Sequence, residues 1–242
     1  MLTIKRVKRN YILYKAEYIK NGLKYVIIRR WNKLADYIFP LFYFNHFKIP
    51  KYFYFQNKRI KYFYHSYNRT WINERCLEVP LVKTYLDRSK GNILEIGNVL
   101  THYFNLNHVI LDKYEKANGV INQDIANYHP SMKYDLIISI STMEHVGFDE
   151  KKKDKEKIME AFKNIKKLLN KGGKAIITMP FGYNPNVDEK LRNKLFPFKE
   201  IYYFKRLNRN NNWKQVNAEE AINTKYSMSP MHANAIVLGI IK

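Results

Sequence analysis

Short apolar runs that alternate with polar segments constrain the fold of this chain most. Five of them between residues 92 and 180 have the length and composition of strands: NILEIG, HVILD, GVINQD, YDLIISIS and KAIITMP. An amphipathic stretch, DKEKIMEAFKNIKKLLNKGG, precedes the fifth run and predicts a helix closed by Gly172 and Gly173. Two further runs, EIYYFKRLN and NAIVLGIIK, follow. Nearly continuous apolar strands alternating with helices predict a mostly parallel, doubly wound α/β sheet.

The residues that end the first three runs indicate the kind of ligand. In doubly wound sheets, ligands bind beyond the carboxyl ends of the strands, where the strand order reverses. Gly97 permits a sharp turn and a close approach of the backbone to a ligand. Asp112 ends the second run and could accept hydrogen bonds from a ribose, while Asp124 ends the third and could reach an adenine amino group. The pattern favours an adenosine-type ligand, with helix capping as the alternative role of each aspartate.

Five segments together resemble the class I S-adenosylmethionine-dependent methyltransferases. They are LEIGNV (94–99), ILDKYE (110–115), INQDI (121–125), YDLIISISTMEHVG (134–147) and LLNKGGKAIITMP (168–180). ISTMEHVG is the most specific, and it is similar to the turn after the fourth strand of small-molecule methyltransferases. The resemblance covers roughly residues 74–182. It implies S-adenosylmethionine as cofactor and a Rossmann-like, seven-stranded sheet whose last strand runs antiparallel.

The resemblance also implies which residues hold that cofactor. Glu95 and Gly97 would shape the methionine end of the site, and Ser141 would line the floor beside the sulfonium. The complete set of predicted cofactor-binding residues is Glu95, Gly97, Asn98, Asp112, Lys113, Asp124, Ile125 and Ser141. The family usually has further glycines after the first, where this chain has Asn98 to Thr101. The side chain of Asn98 could therefore hydrogen-bond the amino acid part of the cofactor.

Glu144 and His145 are the predicted catalytic residues, because they follow the fourth strand where an acceptor should arrive. Methyl transfer from a sulfonium is an in-line displacement, so the protein mainly aligns the acceptor. An alcohol acceptor also loses a proton, and His145 is the predicted base. Alternatively, His145 packs within the turn and Glu144 caps a nearby group. Glu144, Asp149 and Glu150 could hold Mg²⁺, but their spacing is generic, so no metal site is predicted.

Two segments beside the predicted sheet carry further candidate residues. Tyr183 and Asn184, in the loop after the fifth strand, are predicted to bind a polar substrate, although a plain proline-rich connection explains that loop equally well. Glu74 and Arg75 precede the first strand in NERCLEVP and could form a lid over the cofactor. A helix cap or a surface ion pair is the alternative for these two. The same segment predicts a helix that begins after Pro80.

The first 70 residues form a predicted basic, aromatic extension, and residues 71–242 form the predicted methyltransferase domain. The extension holds 16 lysines and arginines against Glu17 and Asp36, a net charge of +14 out of +22 for the chain. Helical spacing predicts helices within residues 1–47, and two aromatic runs around Gln56 to Arg59 predict a β-hairpin. Compositional bias is the alternative source of much of this charge.

The extension and the single cysteine bear on location and partners. Cys76 excludes a disulfide framework, and no apolar signal-peptide core follows the basic N-terminus, so we expect a cytoplasmic protein. Lysine, arginine and aromatic residues in the extension would suit peripheral contact with an anionic membrane.

Three functions remain open at this stage. The hairpin, NERCLEVP, LEIGNV and EHVG together resemble methyltransferases of polysaccharide and surface-glycan synthesis, which implies O-methylation of a sugar or glycan precursor. The runner-up is an RNA methyltransferase whose extension binds phosphates and stacks bases. The third is a basic binding module that no longer binds the cofactor.

Overall fold

A computed structural model describes residues 52–208, 210–228 and 231–242 of the chain. The predicted helices within residues 1–47 lie outside the described residues. Pro50–Lys242 forms one compact unit. No helix within the described ranges is long and apolar enough to cross a membrane. The division of the chain at residue 70 stays a prediction.

Twelve strands and four α-helices lie in the described part of the chain. The strands are β1 (Tyr52–Phe55), β2 (Lys58–Lys61), β3 (Ile93–Ile96), β4 (Val109–Leu111), β5 (Val120–Ile121), β6 (Tyr134–Ile140), β7 (Leu169–Pro180), β8 (Glu200–Arg206), β9 (Trp213–Val216), β10 (Ser227–Met228), β11 (Met231–His232) and β12 (Ala235–Ile241). The helices are α1 (Arg75–Leu86), α2 (Lys157–Leu168), α3 (Pro185–Arg192) and α4 (Ala218–Ile222).

Eight strands form the main sheet, in the order β5-β4-β3-β6-β7-β12-β8-β9. Strands β3 to β7 pair in parallel, and β12 lies antiparallel between β7 and β8. The predicted mostly parallel sheet with an antiparallel last strand is confirmed. The chain runs from β3 outward to β5 and then returns to β6 on the other side of β3. The order therefore reverses between β3 and β6, which is where ligands bind in such sheets.

The sheet has one strand more than the seven expected, because β9 pairs antiparallel with β8 at the edge. The hairpin formed by β1 and β2, together with the adjoining Tyr62, makes hydrogen bonds to β9 at this edge. The Trp213 backbone N–H donates to the Tyr62 hydroxyl at 2.7 Å, and the Gln56 N–H donates to the Gln215 side chain at 3.1 Å. An edge strand leaves backbone groups unpaired unless something covers them. The strand β9 therefore depends on contacts between residues that are distant in the sequence.

Helices α1 and α2 cover opposite faces of the sheet. Successive side chains of a strand point to opposite faces, so Leu136, Ile138 and Ile140 of β6 pack on the α1 side, while Ile137 packs on the α2 side with Phe162. These residues are almost completely buried. Burial on both faces explains why the runs are apolar nearly throughout.

Helix α1 begins at Arg75, five residues before the proline that was expected to precede it. A proline inside a helix leaves the carbonyl four residues earlier without its usual partner. Here that carbonyl belongs to Cys76, and it accepts a hydrogen bond from the Phe63 N–H at 3.0 Å. The segment that follows the hairpin thus satisfies the carbonyl that Pro80 leaves free.

Helix α2 ends at Leu168, and β7 starts at the next residue, so the predicted glycine closure of the helix is wrong. Gly172 and Gly173 lie inside β7. Leu169 pairs with Tyr134 of β6, which draws the chain into the sheet immediately. A Cβ at Gly173 would lie 2.8 Å from the Tyr134 carbonyl oxygen, so this glycine permits the close approach of the two strands.

The predicted hairpin is present, with Gln56 and Asn57 at its turn. Both residues have positive φ, 48° and 63°, as the two central residues of a type I′ turn do. Phe53 and Phe55 are buried against Phe204 of β8, with ring centroids 6.3 and 5.7 Å apart. The hairpin therefore packs on the α1 face of the sheet.

Candidate functional site

A cavity of about 460 Å³ lies at the carboxyl ends of β3 to β6, where the strand order reverses. Six of the predicted site residues line it: Gly97, Asp112, Lys113, Asp124, Ile125 and His145. Thr142 and Val146 also line it, from the turn after β6. The fold brings together side chains that lie up to 54 positions apart in the sequence, from Ile96 to Glu150.

Gly97 directly follows β3 and has a φ of +83°, a backbone conformation that residues other than glycine rarely adopt. A Cβ at this position would lie 2.2 Å from the Thr142 hydroxyl oxygen. The turns after β3 and β6 therefore touch at this glycine. We therefore expect Gly97 to matter for this contact between the two turns as well as for ligand binding.

Glu95 is fully buried beneath the turn after β3 and does not line the cavity. Its Oε1 accepts hydrogen bonds from the backbone N–H groups of Val99 and Leu100, at 2.9 and 2.7 Å. Its Oε2 lies 2.7 Å from Nε2 of His108. These three contacts hold the carboxylate beneath the turn, so Glu95 shapes the site from behind.

The side chain of Asn98, in the same turn, makes hydrogen bonds to neighbouring polar side chains. Its side-chain amide donates to Glu115 Oε1 at 2.8 Å, and its carbonyl oxygen accepts from the Thr101 hydroxyl. His102 Nε2 lies 3.4 Å from the same Glu115 oxygen. Asn98 is buried, and Glu115 faces the cavity. Where the resembling family has glycines, polar side chains of this chain pair with one another.

Asp112 retains free acceptor capacity towards the cavity. Its Oδ1 accepts from the N–H groups of Tyr114 and Glu115, both at 2.8 Å, which caps the loop after β4. Its Oδ2 accepts a single long bond, 3.3 Å, from the Asn98 N–H. Capping and ligand binding are thus compatible roles for the two oxygens of this carboxylate.

Four charged side chains form a compact cluster at the cavity wall. Lys113 Nζ lies 2.8 Å from Asp124 and 2.9 Å from Glu150, and Lys157 Nζ lies 2.6 Å from each. Burial opposes ionisation of both carboxyls, but hydrogen bonds from the two lysines outweigh it and hold both carboxyl pKa values below their usual range. The cluster ties the loop after β4 to the start of α2. Sequence reasoning missed Glu150 and Lys157 as members, since nothing distinguishes them within a lysine-rich run.

Ser141 faces away from the cavity, towards α1. Its hydroxyl donates to Glu78 Oε1 at 2.5 Å, and the Thr178 hydroxyl donates to the same oxygen at 2.7 Å. Arg75 pairs with the other oxygen of Glu78. Burial raises the pKa of Glu78, and Arg75 opposes that shift. The predicted charged lid is therefore in part an internal ion pair that anchors α1 to the ends of β6 and β7.

The role of Glu78 was not predicted, although one signal in the sequence could have indicated it. Glu78 is an isolated carboxylate inside the apolar run CLEVPLV, at a position that helical spacing directs to the core. A charged residue is almost never fully buried unless it is paired. Glu74, the other proposed lid residue, accepts a hydrogen bond from the Ala233 N–H at 3.0 Å.

Glu144 is buried, with 2% of its surface exposed, and its Oε2 has no hydrogen-bond partner among the described residues. Burial is the main cause that raises its pKa well above the usual range, and the nearby carboxylate of Glu78 adds to it. The backbone carbonyl of Glu144 accepts from the Asn184 side chain at 2.7 Å. The turn after β6 therefore holds a desolvated carboxyl group with one oxygen unused.

His145 lies beside Glu144 at the mouth of the cavity, with 44% of its side chain exposed. Its Nδ1 pairs with Asp149, and its Nε2 is 3.6 Å from Glu144 Oε1, beyond hydrogen-bond range. The Tyr183 hydroxyl donates to the same Asp149 oxygen at 2.7 Å. The two predicted substrate residues, Tyr183 and Asn184, thus support the two predicted catalytic residues.

No group of three or more histidine, cysteine or acidic side chains is arranged to hold a metal ion in the described part of the chain. Asp149 and Glu150, two of the three carboxylates considered for Mg²⁺, are engaged elsewhere. Asp149 pairs with His145, and Glu150 pairs with the two lysines.

Comparison with known proteins gives structural neighbours only. No protein-family model matches the chain, and no curated protein matches it. The chain is similar to the N-methyltransferase NodS from Bradyrhizobium japonicum WM9 in complex with S-adenosyl-L-homocysteine, with 13% identity, a TM-score of 0.43 and coverage of 69% of this chain and 85% of that one. It is also similar to an S-adenosylmethionine-dependent methyltransferase from Clostridium acetobutylicum ATCC 824, with 15% identity, a TM-score of 0.35 and coverage of 66% and 88%. Similarity this low does not transfer the neighbours' substrates or cofactors to this chain.

Proposed function

We propose that this protein is an S-adenosylmethionine-dependent methyltransferase of the class I type. The observation that carries the proposal is the cavity at the reversal of strand order, which the Gly97 turn and the carboxylate of Asp112 line together. Its volume lies within the usual range of small-molecule sites, about 300–1,000 Å³. The position is the one at which doubly wound sheets bind nucleotides.

The residues present fit the adenosine part of this cofactor. Ile96, Leu111, Ile125 and Val146 give the cavity apolar walls suited to a base. Asp112 Oδ2 has a lone pair left for ribose hydroxyls. Lys113 and Lys157 both contact Oδ2 of Asp124. Its Oδ1 is therefore the oxygen that would accept a hydrogen bond from the adenine amino group. Glu115 faces the cavity beside the Gly97 turn and would attract the ammonium group of the methionine part.

Bound S-adenosylmethionine supplies an activated methyl group, so the protein's own task is to align the acceptor and remove its proton. His145 borders the cavity, its Nε2 makes no hydrogen bond to any residue that the structure describes, and this nitrogen accepts that proton. Glu144 lies beside this nitrogen, with its Oε1 3.6 Å from Nε2.

The proposed acceptor is a sugar hydroxyl of a glycan precursor. The support is the polar, aromatic mouth formed by His145 and Tyr183, whose rings pack edge to face with centroids 5.0 Å apart. Peripheral attachment to an anionic membrane through the basic extension belongs to the same proposal. An RNA methyltransferase and a non-catalytic binding module are the competing functions.

Isothermal titration with S-adenosylhomocysteine tests the cofactor. We expect micromolar binding by the full chain and about tenfold or more weakening in Asp112→Asn, since each lost hydrogen bond to a charged group is worth about 1.5–3 kcal/mol. Asp87→Asn, at an exposed carboxylate directly after α1 and outside the cavity, is the matched control and should bind like the wild type. Absence of binding at millimolar ligand would rule out the methyltransferase.

The acceptor class is tested with methyl-labelled S-adenosylmethionine and three acceptor pools: nucleotide sugars with oligosaccharides, transfer RNA, and ribosomal RNA fragments. We expect label in the sugar pool, and loss of that label in His145→Ala with cofactor affinity unchanged. Label in RNA, with binding that weakens steeply as salt rises, would reverse the assignment.

A further inference from the structure

The side of His145 that faces away from Glu144 is held by two residues, Asp149 and Tyr183. Asp149, four residues further along the same turn, accepts a hydrogen bond from Nδ1 of His145. Tyr183, from the loop after β7, donates its hydroxyl to the same oxygen of Asp149 and packs its ring against the imidazole. The histidine is therefore fixed by hydrogen bonds and ring packing from two separate segments.

The position of the proton between His145 and Asp149 depends on which of the two groups can donate a hydrogen bond. Burial alone would raise the pKa of Asp149, but hydrogen bonds from His145 and Tyr183 outweigh it and leave that pKa below its usual range. An ionised carboxylate has no hydrogen to donate. The proton between the two groups therefore belongs to Nδ1, and the tautomer that this contact selects has its lone pair on Nε2.

The charged and titratable groups around the imidazole are few. Glu144 lies on the Nε2 side at 3.6 Å, and Asp149 lies on the Nδ1 side. Tyr183 packs on the ring, and Lys153 lies nearby, with its ammonium 5.0 Å from the Phe148 ring centroid. Among the described residues, only Asp149 makes a hydrogen bond to the ring, so this contact selects the tautomer.

We propose that Asp149 and Tyr183 are positioning residues, which hold His145 as the Nδ1–H tautomer so that Nε2 removes the acceptor proton. This inference rests on the proposed function. In the step, the acceptor O–H bond breaks as an Nε2–H bond forms, the oxygen bonds to the methyl carbon, and the carbon–sulfur electron pair stays on sulfur. The imidazolium that results keeps its Nδ1–H bond to the Asp149 carboxylate, which stabilises the new positive charge.

The competing explanation is an exposed ion pair of little consequence. His145 and Asp149 side chains are 44% and 42% exposed, and exposed pairs are worth about 0–1 kcal/mol. Stability measurements would not separate the two explanations. The catalytic rate does separate them, because a surface pair without a positioning role leaves it unchanged, and the tautomer tests the premise of that role.

The first test is nitrogen NMR of the full chain labelled at its seven histidines. The signal of His145 is assigned by its loss in His145→Gln. We expect the Nδ1–H tautomer in the wild type and a shift towards Nε2–H in Asp149→Asn. Asp87→Asn removes the carboxylate of another exposed i,i+4 pair, that with Lys83, and should leave the His145 signal unchanged. A mainly Nε2–H tautomer in the wild type, or no shift in Asp149→Asn, would overturn the proposal.

The second test measures methyl transfer to the sugar pool in the same variants. Asp149→Asn should lower kcat by about 10²-fold, the lower range for general-base catalysis, and Tyr183→Phe by a few fold, with KM and S-adenosylhomocysteine affinity within about twofold. Unchanged kcat in Asp149→Asn would overturn the positioning role even if the tautomer shifts. Failure of the wild type to bind S-adenosylhomocysteine would instead refute the proposed function, and the tautomer measurement would still stand.

Discussion

The turns after β3 and β6 meet across the cavity, and they differ in how their polar groups are satisfied. In the turn after β3, Glu95 accepts from two backbone N–H groups and pairs with His108, and Asn98 bonds to Glu115. In the turn after β6, Glu144 Oε2 has no hydrogen-bond partner among the described residues, and Nε2 of His145 makes no hydrogen bond. The two turns touch at Gly97 and Thr142.

This difference separates a rigid wall from a reactive group. A buried polar atom without a partner costs about 1–3 kcal/mol. The turn after β3 avoids that cost, and the turn after β6 carries it at Glu144. Perturbed, desolvated carboxyl groups in clefts are typical of functional sites. Under the proposed function, the turn after β3 would support the cofactor, and the turn after β6 would act on the acceptor.

The largest effect is expected at the support of the reactive turn. Glu78→Ala leaves Arg75 largely buried without its partner and removes the acceptor of the Ser141 and Thr178 hydroxyls. Loss of one partner from a buried ion pair costs about 3–5 kcal/mol, and urea unfolding would measure it. Glu78→Gln keeps an acceptor for the two hydroxyls and should lose less. Equal losses in both variants would contradict the contribution of these hydrogen bonds.

The next effect is expected where the two turns touch. Gly97→Ala combines a strained positive φ with a methyl group placed 2.2 Å from the Thr142 hydroxyl oxygen. Strain and overpacking each cost about 1–3 kcal/mol, so we expect a loss of about 3 kcal/mol and weaker S-adenosylhomocysteine binding by titration. The double variant Gly97→Ala with Thr142→Ala should recover part of both. No recovery would show that backbone strain alone is responsible.

Glu144 makes the stability of the reactive turn depend on pH. Because burial raises its pKa in the folded state, its contribution to stability is complete below the ordinary value of 4.5 and is lost as pH rises through the raised pKa. The loss for one proton is at most about 1.4 kcal/mol per pH unit. Glu144→Gln should flatten the dependence in urea unfolding at a series of pH values. Glu78 shifts in the same direction and keeps its own contribution in that variant. An unchanged slope would exclude Glu144 as its source.

The smallest effect is expected in the fully satisfied turn. Asn98→Ala removes the bond to Glu115 but no group that lines the cavity. We expect about 1 kcal/mol less stability and S-adenosylhomocysteine affinity within about threefold of the wild type. A loss of affinity of a hundredfold or more would show that Asn98 contacts the ligand directly, which would contradict its role as part of the wall.

The sequence predicts the strands well, because apolar runs covered on both faces differ clearly from their surroundings. The runs at Ile93, Val109, Tyr134 and Ala235 become strands within two residues of the predicted bounds. The helix boundaries were less accurate. Pro80 lies inside α1 because the Phe63 N–H, from another segment, takes up the carbonyl that the proline leaves free. No local pattern contains that information.

Local propensity and spacing suffice to predict the alternation of strands and helices, the glycine turn after β3 and the carboxylates at the strand ends. The role of each carboxylate depends on the folded structure. Glu95 holds a turn, Asp124 binds two lysines, Glu78 anchors α1, and Glu144 has one oxygen without a partner in the described part of the chain. The partners of these groups lie up to 100 residues away along the chain, and folding alone brings them within hydrogen-bond distance.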